Sequence, residues 1–200
     1  MKEEIMMIAD IVLNALIFAV TAVICVGFFR KDGRWDMGRC RAAFRFFTVQ
    51  SNVLCGLAAG LMLLWPASRA VWVLKYLGTA AVTVTMATVF VFLAPTMGGL
   101  KPLLAGSSLF LHLLTPLTAI ASFILLERRG MDFGTAMLGM LPVVCYGPLY
   151  LYRIRFCPEA KRWDDFYGFN RGGRWPVAYA AMALGTFGIC MGLMALQNIA

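Results

Sequence analysis

Charged residues and histidine are both scarce in this 200-residue chain. Asp, Glu, Lys and Arg make up 14% of it, 61% is hydrophobic, and His112 is the only histidine. A soluble domain carries about 25% charged residues, so a water-soluble fold is excluded. One histidine cannot hold a haem between two histidines, and the ligands of a zinc site are not clustered. We therefore expect no metal and no cofactor.

The cysteines also lack the spacing of a metal or redox motif. None of the six forms a Cys-x-x-Cys pair, and most lie within apolar runs. In such runs a cysteine behaves as a small hydrophobic residue, which disfavours a disulfide framework.

Long apolar runs dominate the chain instead. Six of them reach the roughly 20 residues that a helix needs to cross a bilayer. This pattern predicts an all-α polytopic membrane protein, a bundle of six transmembrane helices forming one domain over residues 1–200. Pro142 and Pro148 in the fifth run favour kinks over breaks. The predicted spans are 5–29, 43–65, 70–94, 103–126, 134–153 and 176–197.

The basic residues predict the orientation of these spans. The net charge is +8, but the basic side chains are spread over loops and form no groove-sized patch, so we expect no nucleic-acid partner. The loops after spans one, three and five hold 13 Lys and Arg residues when Arg153, the last residue of span five, is included. The other side holds four, with Lys75 ambiguous. Because positive loops stay in the cytoplasm, we predict that both termini lie outside.

A polar stretch at the start of the second span is the first candidate site. Thr48, Ser51 and Asn52 follow helical spacing and share one face. Lipid cannot satisfy polar groups, so this face must look towards other helices or a wet cavity.

His112 in the fourth span is the second candidate. Ser108, His112 and Thr115 share a face, and Pro116 removes a backbone donor and frees the His112 carbonyl. Ionisable residues within spans are rare and usually face a cavity or a partner.

The two candidates are expected at similar depths in the membrane. Thr48 and His112 lie roughly 8 and 14 Å inside spans that start on the same side, at about 1.5 Å per residue. If these spans touch, a histidine base can remove the proton from a threonine nucleophile. Ser51, Asn52 or Thr83 could donate to the oxyanion that develops.

Structural roles are an alternative explanation for Thr48, His112 and the threonines of the third span. A threonine near a helix start commonly caps the helix or bonds back to a carbonyl. A single histidine within a membrane commonly hydrogen-bonds between packed helices. The threonines of the third span fit packing better than chemistry.

The string Arg45-Phe46-Phe47-Thr48-Val49-Gln50-Ser51-Asn52, followed by His112 four residues before Pro116, resembles the androgen-induced membrane-protein family. Members of that family are multi-span hydrolases of fatty-acid esters of hydroxy fatty acids, with short bacterial relatives. In the family a threonine of the first motif and a histidine of the second are implicated in catalysis. The resemblance implies that Thr48 and His112 have these roles here, although the sequence shows no acidic residue to orient His112.

We therefore expect a threonine-dependent hydrolase of lipid esters, with Thr48 as nucleophile and His112 as base. The resemblance to the short bacterial relatives implies that it lies in a bacterial cytoplasmic membrane. Its partner would be a membrane lipid or a long-chain ester. The alternatives are a lipid or small-molecule binder or transporter with the same polar cavity, and a structural partner subunit. The residues proposed to bind substrate or the oxyanion are Ser51, Asn52, Thr83, Ser108 and Thr115.

Overall fold

The fold is a bundle of membrane-length helices. The computed structural model describes residues 1–199, without the side chains of Lys2 and Lys31. The prediction of an all-α polytopic protein is confirmed, because six helices are long and apolar enough to cross a membrane. We call them spans one to six: Glu3–Phe29, Phe47–Leu64, Arg69–Thr96, Ser107–Leu125, Phe133–Phe156 and Trp175–Asn198.

Several spans consist of more than one helical segment. The α-helices are α1 Lys2–Phe29, α2 Met37–Ala43, α3 Phe47–Leu64, α4 Arg69–Ala87, α5 Ala94–Thr96, α6 Ser107–Leu109, α7 Thr115–Leu125, α8 Phe133–Leu138, α9 Leu141–Leu151 and α10 Trp175–Asn198. The π-helical segments are Thr88–Leu93, Phe110–Leu114 and Tyr152–Phe156. Short 3₁₀ turns occupy Pro102–Leu104, Glu159–Lys161 and Arg171–Gly173.

The first loop, predicted over residues 30–45, is more ordered than expected. Strands β1 (Arg30–Lys31) and β2 (Arg34–Trp35) pair antiparallel around Asp32 and Gly33, which both have positive φ. An Asp-Gly pair of this kind is typical of a two-residue hairpin. Asp36 then caps α2, its Oδ1 accepting from the backbone N–H of Gly38.

This local order changes the start of span two. The sequence predicted a span from residue 43, whereas α3 begins at Phe47 because α2 ends at Ala43 and a turn follows. Thr48 is therefore the second residue of its helix and lies nearer the membrane surface than predicted. Span four likewise begins at Ser107, four residues later than predicted.

Proline residues mark irregularities in three spans. Two π-helical segments end two residues before Pro95 and Pro116, and a proline cannot supply the regular backbone donor. The segment before Pro116 contains His112. Span five is interrupted at Gly139 and Met140, just before Pro142, while α9 continues through Pro148.

Span three lies at the centre of the bundle and is the most buried of the six. It packs most extensively on span two and also contacts span four. Small residues allow the closest approach, since a Cβ added at Gly78 would lie 2.7 Å from the Cys55 Cα. Trp72 and Phe123 extend this core, with ring centroids 5.3 Å apart.

Two names describe the ends of the bundle. The terminal side holds the start of span one, the end of span six and the turns at residues 65–68 and 126–132. The loop side holds the segments 30–46, 97–106 and 157–174.

Candidate active site

A cavity of about 390 Å³ lies in the loop-side half of the bundle. Spans three, five and six form most of its wall, and the start of span two and the last loop close one end. The wall is mainly apolar, and this volume is typical of a small-molecule site. Its polar side chains are hydroxyls and phenols: Thr48, Thr85, Thr88, Tyr146, Tyr150, Tyr167 and Thr186.

Thr48 lies in the cavity wall, in the first turn of α3. The N–H groups of a first helical turn have no partner within the helix. The preceding residue, Phe46, has no side-chain acceptor to cap them. Instead the Phe47 N–H donates to the Tyr167 phenol oxygen at 3.0 Å. The Thr48 side chain lies close to the same phenol in the cavity wall, so Tyr167 connects the helix start with the candidate nucleophile.

The loop holds Tyr167 in place through Asp165. One carboxylate oxygen of Asp165 accepts from the Tyr150 hydroxyl and the Phe169 N–H, and the other accepts from the Asn170 N–H. The Tyr167 N–H in turn donates to the Tyr150 hydroxyl. Burial raises the pKa of the Tyr167 phenol, although hydrogen bonds from Thr48 and Phe47 oppose this effect. The phenol therefore stays protonated and can donate.

Ser51 and Asn52 tie Thr48 to the neighbouring spans. The Ser51 hydroxyl hydrogen-bonds the Thr48 carbonyl and the Thr85 hydroxyl, at 3.1 and 2.8 Å. The Asn52 amide nitrogen donates to the Thr48 carbonyl at 2.8 Å and to the Leu111 carbonyl at 3.1 Å. Spans two and four therefore touch beside His112. Both amide hydrogens of Asn52 are used in these bonds, so it can offer a ligand only its acceptor oxygen.

His112 is oriented by a backbone group. Its Nδ1 lies 2.6 Å from the Leu103 carbonyl oxygen. A carbonyl can only accept, so Nδ1 carries the hydrogen and Nε2 of a neutral ring is left as the basic nitrogen. The Leu103 carbonyl thus has the orienting role for which the sequence showed no acidic candidate. Among the described residues, the cavity wall includes Thr48 but not His112.

Three further residues, Thr83, Ser108 and Thr115, were predicted to bind substrate or the oxyanion. The Thr83 hydroxyl donates to the Thr79 carbonyl at 2.7 Å, one turn back in the same helix. Thr115 is buried at the start of α7, and Ser108 is half-buried in α6. Within residues 1–199, no group of three or more His, Cys, Asp or Glu side chains is placed to hold a metal ion.

Tyr167 and Leu103 are the site residues that sequence reasoning missed. The sequence did contain a signal for Tyr167, because four aromatic residues crowd a basic loop: Trp163, Phe166, Tyr167 and Phe169. No sequence pattern marks a backbone carbonyl such as that of Leu103.

Comparisons of this chain with protein-family models, curated proteins and solved structures gave no match. The family resemblance therefore depends on the two motifs alone.

Proposed function

We propose that this protein is an integral-membrane hydrolase of lipid esters, with Thr48 as nucleophile and His112 as base. The observation that carries the proposal is the position of Thr48, a hydroxyl in the wall of an apolar cavity within a membrane protein. An acyl chain suits such a wall. The family resemblance supports the same pair and the same class of substrate, a fatty-acid ester of a hydroxy fatty acid.

The chemistry would proceed by acyl transfer. The Thr48 hydroxyl adds to the ester carbonyl while its proton passes to Nε2 of His112. The bond from the carbonyl carbon to the alkoxy oxygen then breaks, and His112 returns the proton to the leaving alcohol. Water, activated by His112, hydrolyses the threonyl ester. The Tyr167 hydroxyl, whose oxygen accepts from the Phe47 N–H, would donate to the oxyanion that develops beside Thr48.

A second candidate function is lipid binding without catalysis. It is favoured by one observation, namely that the cavity wall contains Thr48 but, among the described residues, not His112. A binder needs the apolar wall and the hydroxyls but no base. Hydrolysis distinguishes the two functions.

The test is hydrolysis of a long-chain fatty-acid ester by the protein in detergent or liposomes. We expect Thr48→Val to abolish hydrolysis, whereas Thr48→Ser retains part of it and still reacts with a fluorophosphonate probe. His112→Ala should lower kcat by about 10²–10⁴-fold, the usual contribution of a positioned base. The double variant should be no worse than the more impaired single variant, because members of one catalytic unit are not additive.

Thr118→Val is the matched control. Its hydroxyl donates to the Leu114 carbonyl at 2.8 Å, so the substitution removes a threonine hydroxyl of span four outside the cavity wall. This variant should hydrolyse the ester like the unmodified protein. Full activity in a well-folded Thr48→Val protein would exclude the nucleophile and favour the binder.

A further inference from the structure

A second group of polar side chains lies on the terminal side, away from the cavity. Asp10 and Asn14 come from span one, Lys75 from span three, and Ser122 and Glu127 from the end of span four and the turn after it. Lys75 is fully buried, and Asn14 and Glu127 are 1% and 4% exposed. Ionisable groups at such positions are rare and usually functional. The proposed hydrolysis uses none of them.

These side chains form one connected network. The Lys75 Nζ lies 3.1 Å from Glu127 Oε1, an ion pair. The same oxygen accepts from the Ser122 hydroxyl at 2.7 Å and from the Asn14 amide nitrogen at 2.9 Å. That nitrogen also lies 2.9 Å from Asp10 Oδ1, so a single amide group separates the two carboxylates.

The two oxygens of Glu127 are in very different surroundings. Oε1 has three donors, whereas Oε2 is buried and accepts no hydrogen bond from the described residues. An ionised carboxylate in a buried position is stabilised by donors at both oxygens, whereas protonation removes the negative charge that the unpartnered oxygen would share. The unpartnered oxygen is therefore suited to hold a proton.

The charges lead to the same conclusion. With Asp10, Lys75 and Glu127 all ionised, the network would carry one net negative charge. Two carboxylates this close disfavour each other's ionised form. One shared proton makes the network neutral.

No other described group that faces the network supplies the positive charge that this proton would bring. Arg129 lies near Asp10, but its guanidinium donates to the carbonyls of the turn at residues 66–68. Cys55 faces Lys75 and Glu127 from span two, and a thiol brings no positive charge.

We propose that Asp10 and Glu127 form a proton-binding site that holds one exchangeable proton at neutral pH. Asp10 is half-buried near the terminal end of span one and connects the site to water. The proton comes from a hydronium ion, which leaves as water, and it is returned in the same way. Lys75, Ser122 and Asn14 hold Glu127 in position. This inference is independent of the proposed hydrolysis.

Infrared spectroscopy of the purified full chain in sodium-free potassium buffer tests the proposal. We expect the C=O band of a protonated carboxyl group to persist at pH 7, to shift in D₂O and to disappear at alkaline pH. Asp10→Asn should remove the band, because the remaining Lys75–Glu127 pair is already neutral. Lys75→Met should double it, because two protons are then needed for neutrality.

Asp132→Asn is the control, since Asp132 is an exposed carboxylate on the same side that caps α8. It should leave the band unchanged. The proposal is overturned if the unmodified protein shows no such band at pH 7, or if the band survives Asp10→Asn. Loss of the band at constant pH when sodium replaces potassium would assign the site to a metal cation instead.

Thermal unfolding gives a second readout for any variant that folds. A folded state that binds more protons than the unfolded chain loses stability as pH rises. The Tm of the unmodified protein should therefore fall as pH rises through the titration of the site. Asp10→Asn should flatten this dependence, and an unchanged slope in that variant would count against the site.

Discussion

At the scale of single residues, the phenol of Tyr167 takes the place of a capping side chain at the start of α3. Most helix starts use Ser, Thr, Asp or Asn directly before the helix, as α4 and α8 do with Ser68 and Asp132. Phe46 cannot act in this way. The acceptor comes from residue 167 because the last loop folds back over the first turn of span two.

Tyr167→Phe should therefore destabilise the protein. The substitution keeps the ring but leaves the half-buried Phe47 N–H without its acceptor. A fully buried unsatisfied donor costs about 1–3 kcal/mol, so we expect a loss up to that size. Tyr152→Phe, at a tyrosine that is 49% exposed, is the control and should change little. The measurement is the unfolding midpoint in detergent, and equal midpoints for both variants would contradict this role of Tyr167.

The candidate site could be predicted from the sequence only in part. The polar face at Thr48, Ser51 and Asn52 was visible because such side chains are costly in lipid. The sequence could not show that both amide hydrogens of Asn52 bond to carbonyl oxygens, because one of these acceptors lies 59 residues away. The polar network on the terminal side was missed for the same reason. Lys75 and Glu127 become a pair only when spans three and four pack together.

At the scale of helices, the close contact of spans two and three depends on small side chains. A Cβ at Gly78 would lie 2.7 Å from a backbone atom of Cys55, which cannot move aside cheaply. Gly78→Ala should therefore destabilise the bundle by about 1–3 kcal/mol, the usual cost of overpacking.

Gly192→Ala in span six is the matched control. An added Cβ there meets no described heavy atom within 4 Å. Alanine also favours a helix over glycine by about 1 kcal/mol, so this variant should be as stable as the unmodified protein or more so. Thermal unfolding of both variants in detergent measures the difference, and a harmless Gly78→Ala would mean that the two spans are less closely packed.

Helix number and order follow from hydrophobic length, which is why all six spans were predicted. The observed boundaries differ from the predicted ones where local hydrogen bonding determines them. Asp36, for example, caps α2, and span two therefore begins later in the chain than predicted. The π-helical segments are harder to foresee, because a proline can also kink or end a helix. Pro95 and Pro116 follow π-helical segments, whereas α9 passes through Pro148.

At the scale of the whole molecule, the orientation in the membrane is predicted from the count of basic residues on each side. The structure removes one ambiguous residue from that count. Lys75 was ambiguous in the count of basic loop residues, but it lies fully buried in an ion pair and belongs to neither surface. With Arg153 and Arg155 at the loop-side end of span five included, the count is then 13 on the loop side against four on the terminal side. This asymmetry favours a cytoplasmic loop side.

Labelling of whole cells with a membrane-impermeant thiol reagent tests this orientation. Cys40 lies in α2 on the loop side and should react only after the cells are permeabilised. Cys157 is a poorer reporter, since it is 2% exposed and its thiol donates to the Arg153 carbonyl. In a Cys40→Ser background, Ala67→Cys places a thiol in the exposed turn of the terminal side, where it should react in intact cells. The reverse pattern would place the termini in the cytoplasm. The cavity would then lie in the outer leaflet, and the proton-binding site would exchange with the cytoplasm.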